Sequence, residues 1–138
     1  MKKTVLALLL AATAPCHAVE LGKALYCNLS VRNFFAPLVQ RHLISARPVT
    51  VYDSINSFRP TPFSHLTAFR MNVTAVYGYT NDPLLFERGP GTPPPDEYGV
   101  VVREDIANVQ AVLNSAGATS ARTLFLGRGL TEISCSGQ

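Results

Sequence analysis

The sequence has few of the residues that carry out catalysis. Beyond residue 18 it contains only two histidines, His42 and His65, and nine carboxylates spread over 120 residues. It has no Gly-x-Ser-x-Gly elbow, no His-Glu-x-x-His helix, no phosphate-binding glycine loop and no dinucleotide fingerprint. We therefore expect no catalytic, cofactor-binding or metal-binding residues and interpret the protein as a non-enzyme.

Lysine is also scarce, which bears on nucleic-acid binding. Lys23 is the only lysine after the first three residues, and the nine arginines are spread along the chain. Without Lys2 and Lys3, ten basic residues oppose nine acidic ones, so the net charge falls from +3 to about +1. A nucleic-acid surface needs clustered positive charge. The composition therefore predicts no nucleic-acid partner.

The chain lacks an apolar run long enough to span a membrane, but it begins with a short one. Lys2 and Lys3 precede an apolar run at residues 5–12, whereas a spanning helix needs about 20 apolar residues. A basic start followed by a short apolar run is typical of a secretory signal peptide, and a short lysine-led start is typical of bacteria. We predict a periplasmic or secreted protein with no transmembrane segment in its mature form.

Three positions compete for the processing of this signal. A cut after Ala14 would place Pro15 beside the scissile bond, where its ring and missing N–H fit a peptidase poorly. Lipid attachment at Cys16 would follow Pro15, where a small residue is expected. A cut between Ala18 and Val19 has neither problem. We therefore predict cleavage after Ala18.

The predicted mature chain, residues 19–138, is long enough for one domain with a core but not for two. Its two cysteines, Cys27 and Cys135, lie near its two ends. In an oxidising compartment such a pair usually forms a disulfide. A reactive thiol or a metal ligand is the alternative, but no Cys-x-x-Cys motif or neighbouring histidine accompanies either residue. We predict the Cys27–Cys135 disulfide.

Two segments have the apolar spacing of helices. Residues 28–45 carry an apolar stripe that includes His42, and Ser30 is a candidate N-cap. Pro37 opposes a continuous helix, so we expect two short pieces or a helix that begins near Pro37. Residues 104–117 have an acidic start, an apolar stripe and a glycine end, which predict a second helix.

The other periodic segments predict strands. Residues 66–79 alternate with period two, which indicates one continuous, half-buried strand. Residues 49–58 indicate a weaker strand that contains Asp53, and residues 98–102 a further one. Residues 122–135 predict two strands joined by a glycine-rich hairpin turn. The whole predicts an α+β fold: a small, mainly antiparallel sheet with one or two helices, closed by one N-to-C-terminal disulfide.

A Pro/Gly-rich loop interrupts the strands at residues 80–97. It shows no periodicity, and its three consecutive prolines favour an extended backbone. Long irregular loops in compact domains are often functional or disordered, and a stiff connector is the alternative. The candidate binding residues of this loop are Leu84, Leu85, Phe86, Arg88, Pro93, Pro94 and Pro95.

Two classes of function remain. The favoured one is a non-enzymatic binding, inhibitor or immunity-type module whose partner is another envelope or secreted protein, because the sequence offers little for catalysis. The alternative is a small periplasmic hydrolase whose active site is assembled from residues distant in sequence. Its candidate participants are His65, Asp53, Ser64 and Asp82.

Overall fold

A computed structural model describes residues 18–138 of the chain. Most of the predicted signal peptide, including Cys16, lies outside the described residues. The described chain forms an open, mixed sheet of eight strands with two α-helices and one 3₁₀ helix. In chain order the elements are β1 (Val19–Glu20), the 3₁₀ helix (Gly22–Tyr26), α1 (Val31–Gln40), β2 (Thr50–Tyr52), β3 (Ile55–Phe58), β4 (Leu66–Ala68), β5 (Met71–Tyr79), β6 (Glu97–Val102), α2 (Ile106–Ala116), β7 (Arg122–Gly127) and β8 (Leu130–Ser136).

All strand pairs except one are antiparallel. The order across the sheet is β1-β4-β5-β6-β8-β7, and β1 runs parallel to β4. The β2–β3 hairpin joins the same sheet because β3 pairs with the second half of β5, whereas β4 pairs with its start. The predicted α+β fold with a mainly antiparallel sheet is confirmed.

A disulfide joins the two ends of the domain. The sulfur atoms of Cys27 and Cys135 are 2.02 Å apart, and the two residues are separated by 108 positions in the sequence. Cys135 lies in β8 and is fully buried, whereas Cys27 directly follows the 3₁₀ helix and is half-buried. The predicted bond is confirmed.

Both α-helices pack against the same face of the sheet, which we call the core face. The ring of Phe34 in α1 stacks on that of Tyr98 in β6, with centroids 4.6 Å apart, and α2 buries Val109 and Leu113 in the same cluster. No helix of residues 18–138 has the length and apolar character needed to cross a membrane. Fully buried strand residues of the core face include Val76, Tyr98, Val100, Val102, Thr131, Ile133 and Cys135.

The first helix runs through Pro37 without a break, so the predicted interruption there was wrong. A proline inside a helix costs about 3 kcal/mol. Burial of one large apolar side chain contributes about 1.5–3 kcal/mol, and this helix buries four such side chains. They are Val31, Phe34, Phe35 and Leu38. Packing therefore outweighs the local penalty, and the ring of Pro37 points to solvent.

The helix ends follow their capping residues. The side chains of Ser30 and Asp105 each accept a hydrogen bond from the backbone N–H three residues later, at 3.2 and 3.0 Å. Gly117 ends α2 with a φ of 75°, as the glycine signal predicted. His42 lies beyond the end of α1 with a φ of 52° and is exposed. The prediction that His42 belongs to the buried stripe of the helix was therefore wrong.

Two segments that were predicted as single strands are hairpins. Asp53 and Ser54 form the turn between β2 and β3 with φ values of 46° and 70°, and Phe69 and Arg70 form the turn between β4 and β5 with 49° and 68°. Positive φ at both central positions is the type I′ geometry, which favours glycine, asparagine and aspartate. Asp53 suits its position in the first turn, whereas the β4–β5 turn contains none of the three residues. The predictions of one strand through each segment, and of Asp53 inside a strand, were wrong.

Glu20 supplies the acceptors for one of these turns. Its carboxylate accepts hydrogen bonds from the backbone N–H groups of Gly22, Phe69 and Arg70 and from the hydroxyl of Thr67. Burial raises the pKa of the Glu20 carboxyl, but these hydrogen bonds outweigh burial and lower the pKa below its usual value. The short strand β1 is thereby fastened to the β4–β5 hairpin.

A β-bulge in β5 exchanges the two sides of that strand. The register with β6 shifts just after Val73, which lies on the core face opposite Val102. Beyond the shift, Tyr77 pairs with Gly99 and lies on the other face. One extra residue reverses the alternation of side chains. The prediction of a single apolar face along this whole segment was therefore wrong.

Candidate functional site

The face of the sheet opposite the helices carries a groove of about 310 Å³. The groove crosses five strands, and no helix residue lines it. We call it the open-face groove. Its lining residues are Thr50, Tyr52, Ile55, Ser57, Tyr77, Glu97, Val101 and Glu132.

The ring of Tyr77 lies over Gly99 at the floor of the groove. A Cβ atom built on Gly99 would lie 2.5 Å from the Tyr77 hydroxyl oxygen and 2.7 Å from its Cζ atom. Contacts this close are not possible between real atoms, so only glycine allows the ring to occupy this position. The ring thus extends from β5 over β6 toward β8.

The hydroxyl group of Tyr77 is buried without a well-formed hydrogen bond. The residue is 6% exposed, and its hydroxyl oxygen makes no hydrogen bond of good geometry to any described residue, although the side chains of Glu132 and Ser134 lie within reach of it. Burial, and next the negative charge of Glu132, raise the pKa of Tyr77 well above its usual value, so the group is a neutral phenol. A buried polar group without a partner costs about 1–3 kcal/mol. Each such group in a folded protein calls for a specific explanation.

Two glutamates flank the Tyr77 hydroxyl. Glu97, Gly99 and Val101 alternate along β6 and share the open face, and Glu132 lies opposite Val101 on β8. Glu97 and Glu132 therefore lie on opposite sides of Gly99, on neighbouring strands. Because the glycine has no side chain, the carboxylates and the phenol converge over one point of the sheet.

The charges in the groove are not balanced. Burial raises the pKa of Glu97, repulsion from Glu132 raises it further, and Arg122 opposes the rise. The nearest oxygen of Glu97 is 3.7 Å from the Arg122 guanidinium, and Arg122 is 64% exposed. An ion pair this long and this exposed contributes little to the stability of the protein and neutralises Glu97 only weakly. The groove therefore carries an excess of negative charge.

Replacing Tyr77 with phenylalanine is expected to stabilise the protein. The substitution removes a buried hydroxyl that makes no well-formed hydrogen bond and keeps the ring over Gly99. We expect the free energy of unfolding to rise by about 1 kcal/mol, measured by urea denaturation.

Tyr98→Phe is the matched control. Tyr98 is fully buried on the core face, and its hydroxyl donates a 2.9 Å hydrogen bond to the backbone carbonyl of Ala24. We expect the free energy of unfolding of this variant to be about 1 kcal/mol lower than that of the wild type. A loss of stability in Tyr77→Phe as large as that in Tyr98→Phe would show that the Tyr77 hydroxyl has a partner.

The stability of the protein is expected to depend on pH through Glu97. Its pKa is raised in the folded protein, so folding favours the protonated carboxyl. This contribution to stability is fully present below about pH 4, the ordinary range of a glutamate, and is lost as pH rises through the folded pKa. Glu97→Gln should remove this loss and be more stable than wild type at pH 7. The check is the difference in unfolding free energy between the two proteins from pH 4 to pH 8; a difference independent of pH would contradict it.

The wall of the groove formed by the β2–β3 hairpin is held in place from behind by the loop at residues 80–96. The buried amide of Asn56 donates to the carbonyls of Ser54 and Glu87 at 2.7 and 2.8 Å and accepts from the Glu87 N–H at 2.8 Å. The hydroxyl of Ser54 accepts from the Gly89 N–H at 3.0 Å. The hairpin thus has a buried side that binds the loop, and Tyr52 on the other side lines the groove.

The seven loop residues predicted to bind a partner do not form one surface in the structure. Phe86 is a core residue whose ring lies 4.9 Å from that of Phe35, and Leu85 is half-buried beside it. Leu84 is 90% exposed and makes no part of the core. Arg88 and Pro95 are exposed, and Pro93 and Pro94 are half-buried. None of these seven residues lines the open-face groove.

The residues named for a hydrolase lie in separate places. Asp53 occupies the β2–β3 turn, and Asp82 forms an ion pair with Arg32 on α1. Ser64 donates a 2.7 Å hydrogen bond to the carbonyl of Leu43. The neighbouring His65 is exposed. Within residues 18–138, no hydrogen bond joins the side chains of any two of these four residues.

Sequence reasoning missed the residues of the groove. Glu97 was assigned to the loop, whereas it begins β6, and Tyr77 was assigned to the core side of a strand. One signal was available: an isolated glycine inside a strand, such as Gly99, often marks a close approach of another group. The sequence does not give the strand order. It therefore could not show that Tyr77 lies against this glycine or that Glu132 lies nearby.

Among residues 18–138, no three histidine, cysteine, aspartate or glutamate side chains come close enough together to hold a metal ion. Comparisons of the chain with protein-family models, with curated proteins and with solved structures found no match. The function is therefore inferred from the geometry of the open-face groove alone.

Proposed function

We propose that this protein is a non-enzymatic binding module of the periplasm or the cell exterior and that it binds another exported protein through the open-face groove. An inhibitor or an immunity-type protein is a module of this kind. The signal-like start of the chain and the disulfide both support export, because disulfides persist in oxidising compartments.

The observation that carries the proposal is the buried phenol of Tyr77 between two carboxylates on an uncovered sheet face. This arrangement costs stability in the isolated chain, since the hydroxyl lacks a well-formed hydrogen bond and the charge of Glu97 is disfavoured. A partner that supplies hydrogen bonds and positive charge would remove both costs. Polar groups that are satisfied only in a complex are typical of binding sites.

Exposed apolar side chains border the groove on both sides. Tyr52 is 78% exposed on the β2–β3 hairpin. Leu124 is 56% exposed on β7, where it pairs with Glu132 on β8. An apolar area with aromatic residues and a few polar groups is the usual composition of a protein interface. The outer side of β7 also ends the sheet, so its backbone N–H and C=O groups can pair with a further strand.

Position-specific photo-crosslinking in the exporting cell tests the proposal. A benzophenone amino acid at Tyr52 should give an adduct with one defined protein. The matched control is the same replacement at Phe63, which is 95% exposed in the segment between β3 and β4 and does not line the groove. Glu132→Lys should abolish the Tyr52 adduct, while Glu87→Lys in the loop should preserve it. No adduct at Tyr52, or equal adducts at Tyr52 and Phe63, would reject this function.

One observation favours a hydrolase as the second candidate. A glutamate with a raised pKa beside a second carboxylate is the arrangement by which many glycoside hydrolases separate acid and base roles. In that case Glu97 would be the acid and Glu132 the charged partner. Hydrolysis of a substrate in a glycoside and ester panel that Glu97→Gln abolishes would favour this candidate over the binding module.

A further inference from the structure

The open-face groove holds two carboxylates and lacks a cation of its own. Of the described basic residues, only Arg122 approaches Glu97, at 3.7 Å, and none forms an ion pair with Glu132. No basic residue lines the groove. Beside these charges, the Tyr77 hydroxyl is buried without a well-formed hydrogen bond, with Glu132 within its reach. A bound group should therefore bring both positive charge and hydrogen-bond donors.

We propose, resting on the function proposed above, that the open-face groove receives an arginine side chain of the partner protein, whose guanidinium lies between Glu97 and Glu132 over the ring of Tyr77. The two carboxylates accept its N–H groups. A guanidinium that binds Glu132 fixes this carboxylate beside the Tyr77 hydroxyl, which can then donate a well-formed hydrogen bond to it.

The walls of the groove favour a guanidinium over an ammonium ion. Arginine presents five N–H donors in one plane, which suits carboxylates on two neighbouring strands, and its flat face stacks on aromatic rings. The rings of Tyr77 and Tyr52 and the side chains of Ile55 and Val101 line the groove. These apolar surfaces match the face of the guanidinium and the aliphatic part of the side chain. A lysine ammonium offers no flat face and is more strongly hydrated.

Arg122 marks where the partner's guanidinium binds. It reaches the Glu97 carboxylate from β7 but is mostly exposed, so breaking this ion pair costs little stability. A guanidinium that enters from outside can approach both glutamates. Arg122 then turns to solvent or joins the partner's contacts at the edge of the sheet.

The test is a nuclear magnetic resonance titration of the mature protein with three small probes: N-acetyl-arginine methylamide, its lysine analogue and its citrulline analogue. Citrulline has nearly the same shape as arginine and no charge. The backbone amides of Gly99 and Glu132 should shift on binding. We expect the dissociation constant of the arginine probe to be about tenfold lower than that of the citrulline probe, with lysine between them.

Variants locate the binding site. Glu97→Gln combined with Glu132→Gln should remove the preference for arginine over citrulline, and Tyr77→Phe should reduce it. Glu87→Gln is the control, because Glu87 is an exposed loop residue outside the groove. Equal binding of arginine and citrulline by the wild type, or a preference that survives the double substitution, would overturn the inference.

The two proposals fail separately. A crosslinked partner at Tyr52, without any preference for the arginine probe, would overturn the arginine site and leave the binding function. A preference for the arginine probe without any crosslinked protein would support a guanidinium site and reject a protein partner.

Discussion

Loss of the Cys27–Cys135 disulfide is expected to cause the largest fall in stability of any single change to this protein. The two residues are 108 positions apart, so the bond closes almost the whole described chain. In the chain-entropy model a loop of about 100 residues contributes roughly 4–5 kcal/mol. For Cys27→Ser we expect that loss in the free energy of unfolding and a fall of about 15 °C in the melting temperature.

Reduction of the wild type provides the control for this prediction. Wild type in reductant and Cys27→Ser in oxidising buffer should unfold at the same denaturant concentration, and reductant should have no further effect on the variant. Cys27 is the position to change because it is half-buried, whereas Cys135 is fully buried and its replacement would also alter the core. Equal midpoints of the wild type with and without reductant would refute a stabilising bond.

Asn56→Ala is expected to cause the second large loss. The Asn56 side chain is fully buried, and its amide makes three hydrogen bonds: two fasten the backbone of Glu87 to the β2–β3 hairpin, and one goes to the carbonyl of Ser54 in the hairpin turn. Alanine leaves these buried backbone groups without partners. We expect a loss of about 2–4 kcal/mol in the free energy of unfolding. Hydrogen exchange at the Glu87 amide should become much faster.

Two controls accompany this prediction. Ser54→Ala removes one hydrogen bond, to the Gly89 N–H, and should cost about 1 kcal/mol. Asn72→Ala changes an exposed asparagine on β5 and should stay within about 0.5 kcal/mol of wild type. If Asn56→Ala is no more damaging than Asn72→Ala, the loop is not held by this amide.

The same variant connects the loop to the groove. Asn56 lies on the buried side of the hairpin whose other side presents Tyr52 and Ile55 to the open-face groove. Loosening the loop should therefore also loosen one wall of the groove and weaken the arginine preference. The Pro/Gly-rich loop would then support binding indirectly, by positioning the hairpin.

Stability and binding are expected to change in opposite directions at the groove. Tyr77→Phe and Glu97→Gln should each stabilise the isolated protein, since each removes a group that folding leaves unsatisfied. Each should also weaken binding of a cationic partner. A site that is kept for structure alone would lose stability on such changes, whereas a functional site commonly gains it.

The sequence by itself determined the features that depend on local chemistry. Asp105 and Gly117 mark the ends of α2 because a carboxylate and a glycine satisfy the helix termini there. The even pair of cysteines specified the disulfide, and the order of helix and strand patterns along the chain specified the fold class. These properties need only neighbouring residues or simple counting.

The tertiary structure decided the rest. The β4–β5 turn contains no glycine or asparagine and is held by the carboxylate of Glu20, which lies 50 positions from Arg70 in the sequence. The bulge after Val73 moved Tyr77 from the core side of β5 to the open side, which alternation alone could not reveal. The open-face groove then formed because strand order brought Glu132 on β8 next to Gly99 on β6. Its charge and its unpaired phenol belong to no single segment, since they arise where three strands meet.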